Sequence, residues 1–201
     1  YADWLSKNKS ADLSTQNGFI FEVLSRRFIQ NTEVSSKLLQ PFKEILLFLT
    51  DGQNQRQIWS EEKSSPDDLV LSFTQHAIEI TKIVECKGST HAITRSFHQK
   101  ESTKRAVRSL VNVLNGDYEE VKNEKGKRLI SEAREKLRKL HSLPLTLSPN
   151  YKYVYILPSD QHYFSNNPKD TNLEVINLPF TTSDIDLFRK TIFTYFAQVD
   201  L

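Results

Sequence analysis

Methionine is absent from these 201 residues, and cysteine occurs once, at Cys86. A lone cysteine cannot close an internal disulfide, and it excludes a cysteine-rich zinc site. It fits a reducing compartment, so an intracellular, cytoplasmic location is expected. No run approaches the ~18 apolar residues of a membrane span. The opening stretch YADWLSKNKS lacks a signal-peptide pattern. A chain that starts on Tyr and holds no Met is expected to be a trimmed or processed piece of a larger protein. Internal repeats, low-complexity tracts and Pro/Gly-rich linkers are missing too. Residues 1–201 therefore read as one domain with a sizeable core.

What is present is unevenly spread. Residues 95–139 carry thirteen Lys/Arg against seven Asp/Glu, a net of +6 within a chain whose total is +2. Such asymmetry suggests a surface that faces a polyanion, although a solvated helix pair gives the same bias. Apolar spacing predicts helices over 14–31, with Ser14 or Thr15 as cap, over 35–50, over 96–116 and over about 119–141. A closing helix is predicted over 183–198 with Ser183 as cap. Strands are predicted over 55–60, 69–73, 77–87, 151–158 and 173–179. The order α-α-β-β-β-α-α-β-β-α implies an α/β fold, a mixed sheet with helices on both faces.

The chemistry concentrates around the fourth and fifth predicted elements. Asp67 and Asp68 precede the strand over 69–73, and Glu85-Cys86-Lys87 closes the strand over 77–87. If these two strands pair as a hairpin, the start of one lies beside the end of the other. Alternate residues share a face, so Glu85 and Lys87 point one way and Cys86 the other. Glu79 is expected on the Glu85 face, too far along for the same site. Converging carboxylates repel unless a cation sits between them. Oxygen ligands suit Mg²⁺ or Mn²⁺, and the Cys86 carbonyl can add another. Lys87 is then placed to hold a water or a phosphate and to stabilise transition-state charge. The bland alternative is a surface turn with two Asp and an exposed Glu/Lys pair.

Pro66-Asp67-Asp68 before LVLSF, with Glu85-Cys86-Lys87 closing ITKIVECK, resembles the PD-(D/E)XK (restriction-endonuclease-like) nuclease superfamily. The predicted order over 14–31 and 55–158 contains the αβββαβ core of that family. The resemblance extends to Gly18-Phe19-Ile20-Phe21-Glu22, where a helix Glu completes the acidic site in many members. It extends also to Gln99, on the helix after Glu-x-Lys. It implies Asp68, Glu85, Lys87 and Glu22 as catalytic residues. Of the two aspartates Asp68 is preferred, because it abuts the strand; Asp67 is the alternative acid or a turn residue. Asp68, Glu85 and the Cys86 carbonyl are the implied metal ligands.

The implied activity is metal-dependent phosphodiester hydrolysis, in DNA before RNA by family frequency. Gln99, Lys100, Lys104 and Arg108 are the expected nucleic-acid contacts. The spacing of four puts the three basic residues on one helix face, opposite Val107, Leu110, Val111 and Leu114. A catalytically silent binding module on the same fold and an RNA-cleaving domain are the alternatives. A second copy of the chain, or the subunits of a larger assembly, are further expected partners; no membrane is. The five histidines show no ligand spacing. Cys86 reads as a small core residue, and Tyr151, Tyr153 and Tyr155 as a packed strand face rather than a base-stacking platform.

Overall fold

The computed structural model describes residues 11–32, 66–95, 143–163 and 171–199, with individual helical residues between 100 and 135. In chain order these form α1 (Leu13–Thr32), β1 (Asp68–Phe73), β2 (Ile78–Cys86), α2 (Thr90–Arg95), β3 (Leu145–Pro158), β4 (Leu173–Leu178) and α3 (Thr182–Val199). Among the described residues the strands make one mixed sheet in the order β1-β2-β3-β4. Strands β1 and β2 are antiparallel, and β3 and β4 follow in parallel. The α/β class and the mixed sheet are as expected. The helix predicted over 35–50, the strand over 55–60 and Gln99 lie outside the described residues. Of the helix predicted over 119–141, Arg128, Ser131 and Glu135 are described; all three are helical and exposed.

Local chemistry sets the element ends. Asp12, not Ser14 or Thr15, caps α1: its carboxylate accepts the Thr15 backbone N–H at 2.9 Å and the Thr15 hydroxyl at 3.1 Å. Helix α3 begins with a reciprocal box on Thr181, two residues ahead of the expected Ser183. Thr181 N–H donates to Asp184 Oδ2 at 2.8 Å, and Asp184 N–H donates to Thr181 Oγ1 at 3.1 Å. The β1–β2 turn closes on Thr74, whose N–H donates to the Ala77 carbonyl while its hydroxyl accepts the Ala77 N–H. The short α2 was not predicted. Its signal was Ser89, whose hydroxyl accepts the Ala92 N–H at 3.3 Å.

The sheet separates two apolar cores. One gathers Leu69, Leu71, Ile78, Ile80 and Ile83 with Val107 and Val111, two of the described helical residues between 100 and 115, and with Tyr151, Tyr153, Tyr155 and Leu157 of β3. The tyrosines are packing residues, as expected; Tyr153 and Tyr155 meet edge to face at 5.4 Å. The other core joins Val70, Val84, Val154 and Ile156 to Ile20, Phe21 and Ile29 of α1 and Ile185 of α3. A buried polar tie runs between those two helices, where Arg189 Nη1 donates to Gln16 Oε1 at 3.3 Å.

Two irregularities in register decide which residues face which core. Val70 pairs with Lys82 and Leu71 with Ile80, so Thr81 of β2 is left without a partner on β1. Its hydroxyl donates to the Val70 carbonyl instead. This bulge reverses the alternation along β2: Ile78 and Ile80 before it, and Ile83 after it, all join the first core. Glu79 therefore does not share the Glu85 face, as an unbroken strand would require. Strand β3 also begins earlier than expected, at Leu145, and its register with β2 jumps between Leu147 and Lys152. Pro149, with no N–H to give, lies in that jump.

Candidate functional site

The β1–β2 hairpin forms as expected and brings the start of β1 to the end of β2, with Asp68 opposite Val84. The consequence for the two aspartates differs from the expectation. Residues 68 and 70 share a face of β1, and both Val70 and the cross-strand Val84 belong to the α1/α3 core. Asp68 is thus buried on the side away from Glu85, with its Oδ1 accepting the Leu69 N–H at 2.8 Å. Asp67, just outside the strand, takes the place beside Glu85. Its N–H donates to the Val84 carbonyl, and its Oδ2 accepts the Cys86 N–H at 2.7 Å. That N–H points to the β1 side, where the ladder has run out, and the carboxylate satisfies it.

Glu85 is 1% exposed. Lys87 Nζ donates to its Oε2 at 2.9 Å, and the Thr103 hydroxyl donates to its Oε1 at 3.2 Å. Burial, and next the Asp67 charge, push the Glu85 carboxyl up to about 7; Lys87 and Thr103 pull the other way. Burial by itself would lower Lys87, but the adjacent Glu85 charge overrides it and holds the ammonium above its ordinary value. The pair is therefore a strained carboxylate beside a committed cation, and Asp67 is the carboxylate whose charge acts on both.

Glu22 lies on α1, close enough for its charge to act on Cys86, and is ion-paired with Arg26. Arg26 Nε in turn donates to the Asp67 carbonyl at 3.2 Å, so this pair braces the strand start. Among the described residues no three His, Cys, Asp or Glu side chains are grouped to hold a metal ion. The donor set is two carboxylates, Asp67 and Glu85, with the Cys86 carbonyl between Glu85 and Lys87. Magnesium is commonly held by one or two carboxylates plus waters and substrate phosphates, so this set fits an ion of that class. It suits zinc poorly, because the set offers neither the imidazole nor the thiolate that zinc sites are usually built on. Burial first, then Asp67, raises the Cys86 thiol well above its usual range, which makes it a poor nucleophile.

The expected basic face is divided. Lys100 is 4% exposed and lies on the packed side of the 100–115 stretch, with Thr103, Val107 and Val111. Its ammonium is 5.6 Å from the Tyr153 ring centroid, and that of Lys104 is 5.9 Å from the same centroid. Lys104 also pairs with Glu101 at 2.9 Å. Arg108 is exposed beside an open depression lined by Val111, Asn112, Leu147, Ser148, Pro149 and Tyr151. The three side chains do not form one solvated stripe, because residue 100 has rotated into the core. Sequence reasoning missed Thr103, which looks like an ordinary helix Thr until the strand end is folded against it.

No family model matches the chain, and neither a curated protein nor a solved structure matches it.

Proposed function

We propose that the protein is a Mg²⁺- or Mn²⁺-dependent nuclease, with a PD-(D/E)XK-like site built on Asp67, Glu85 and Lys87. The observation that carries this reading is the convergence at one strand end of two carboxylates and an ammonium, with one carboxyl held near 7 by burial and by the other's charge. Buried like charges are costly unless a cation or a proton joins them. Asp67, Glu85 and the Cys86 carbonyl would hold the ion, which supplies Lewis acidity at a phosphate when bound. Lys87 then has a second duty. Displaced from Glu85 Oε2, its ammonium can hold a phosphate oxygen or the attacking water and stabilise developing negative charge. Lys104 and Arg108 are proposed as backbone contacts that carry no sequence information, and DNA is the proposed substrate ahead of RNA.

The near-complete burial of Glu85 favours one rival, a binding module with the same fold that does not cut. One assay separates the two. Plasmid, linear duplex, single-stranded DNA and RNA are incubated with Mg²⁺, Mn²⁺ or EDTA, using the native chain and Glu85→Gln. Cleavage that needs the metal and is lost in Glu85→Gln supports the nuclease. Binding without cleavage supports the rival, and cleavage at the native rate by Glu85→Gln rejects the site.

A further inference from the structure

The two oxygens of Glu85 are held by different parts of the molecule. Oε2 is held by Lys87, two residues along the same strand, and Oε1 by Thr103, from the 100–115 helical stretch. The holders differ in kind. Lys87 has a flexible four-carbon stem, and its side chain is 14% exposed. Thr103 is 0% exposed and has a branched, stiff side chain. Water cannot readily take over from a donor so enclosed.

The position of Thr103 is informative. It occupies the same packed face as Val107 and Val111, both buried in the core. Valine at 103 would have nearly the same shape. What threonine adds is the hydroxyl, which donates to Glu85 and also meets the buried Tyr153 side chain, itself a hydrogen-bond partner of Glu85. Lys100 and Lys104, on either side of Thr103 in the chain, set their ammonium groups 5.6 and 5.9 Å from the Tyr153 ring centroid. Tyr153 is on β3 opposite Ile83, one face-sharing step from the Glu85–Tyr155 pair.

We propose that Thr103 is a positioning residue: its hydroxyl fixes the Glu85 carboxylate so that Oε2 is the oxygen presented to a divalent cation. This deepens the proposed function and rests on the Glu85 centre it describes. With a cation bound, Lys87 would release Oε2 while the Thr103 hydroxyl would keep Oε1. The carboxylate therefore does not have to be reoriented as the ion binds. A partner behind a ligand typically changes metal affinity by about 10- to 100-fold when removed.

The test is Mn²⁺ binding by calorimetry on the full chain, with thermal melting recorded for each variant and no substrate present. Thr103→Val should bind Mn²⁺ about 10- to 100-fold more weakly than the native chain. Thr103→Ser, which restores a hydroxyl, should return most of the affinity. If Thr103→Val does not fold, Thr103→Ala is judged by the same criterion. Native affinity in the folded Val or Ala variant, even with a lowered melting point, makes Thr103 merely structural and overturns the inference. Glu85→Gln separates the two levels. If it binds Mn²⁺ as the native chain does, the Glu85 centre is wrong and the inference falls with it. If it loses binding while Thr103→Val does not, the centre stands and the role of Thr103 fails.

Discussion

The two faces of the sheet are built from similar aliphatic side chains at alternating positions, but they end differently. On the α1/α3 face, Val70, Val84, Val154 and Ile156 pack against Ile20, Phe21 and Ile185. There the acidic side chains have local partners: Glu22 pairs with Arg26, and Asp68 accepts the adjacent Leu69 N–H. On the other face the apolar rows run into Glu85, with Lys87, Thr103 and Asp67 around it, and the carboxyl is driven up to about 7. Both faces bury an acid, Asp68 on one and Glu85 on the other, but it is around Glu85 that a second carboxylate and an ammonium gather. Burying a charge is costly, and a cluster that keeps one buried is set apart from simple packing.

Cutting into each face in turn sharpens this contrast. The largest effect is expected on the α1/α3 side. Phe21 is fully buried, and Phe21→Ala should lower stability by about 3–5 kcal/mol in chemical denaturation. Mn²⁺ affinity of the folded fraction should not change. If metal binding falls in parallel, the two faces are not independent.

Next is the choice between neighbouring aspartates. Asp67→Asn should reduce metal-dependent cleavage by more than ~100-fold, beyond the loss from a ligand's supporting partner. Asp68→Asn should cut as the native chain does. The reverse pattern, measured on plasmid, would put the acid on the wrong side of the strand.

A smaller effect follows from the Glu85 carboxyl. Its folded value of about 7 lies above the ordinary 4.5, so the folded metal-free protein holds a proton that the unfolded chain has released. The Glu85 contribution to stability is complete below about 4.5 and is lost as pH rises through about 7. The slope is at most ~1.4 kcal/mol per pH unit. Glu85→Gln should remove this slope and be the more stable protein above pH 7 without metal. Urea midpoints across that range with equal slopes in both proteins would show that Glu85 is not perturbed.

The smallest effect concerns the exposed end of the basic stretch. Arg108→Ala should lower the slope of log affinity against log salt by about 0.7–0.9 for nucleic acid, and equally for all sequences. An unchanged slope would mean that this exposed arginine is merely solvated.

Much of this was legible in the chain itself, and the failures have particular causes. Strong periodicity located α1, β1, β2, β4 and α3 to within a residue or two of their ends. The caps were misread because Asp12 and Thr181 stand just before the periodic segments, where spacing carries no signal. Pro-Asp-Asp and Glu-x-Lys were legible as runs flanking adjacent strands, but of the two aspartates it is Asp67, not the preferred Asp68, that lies toward Glu85. Asp68 abuts the strand and so inherits the strand's alternation, which commits it to the Val84 face. Asp67, outside the strand, can bend round the sheet's end to the Cys86 N–H.

The sequence by itself determined the alternating apolar rows, the hairpin that joins them and the residue types at its open end. Those are local properties, written in periods of two and in turn chemistry. Tertiary structure decided the rest. The bulge at Thr81 reversed the faces along β2, and docking of the 100–115 stretch buried Lys100 and delivered Thr103 to Glu85. Neither is visible locally, because an unpaired strand residue and a helix rotation are chosen by the fit of distant surfaces, and a one-residue shift in either exchanges every side chain between core and site.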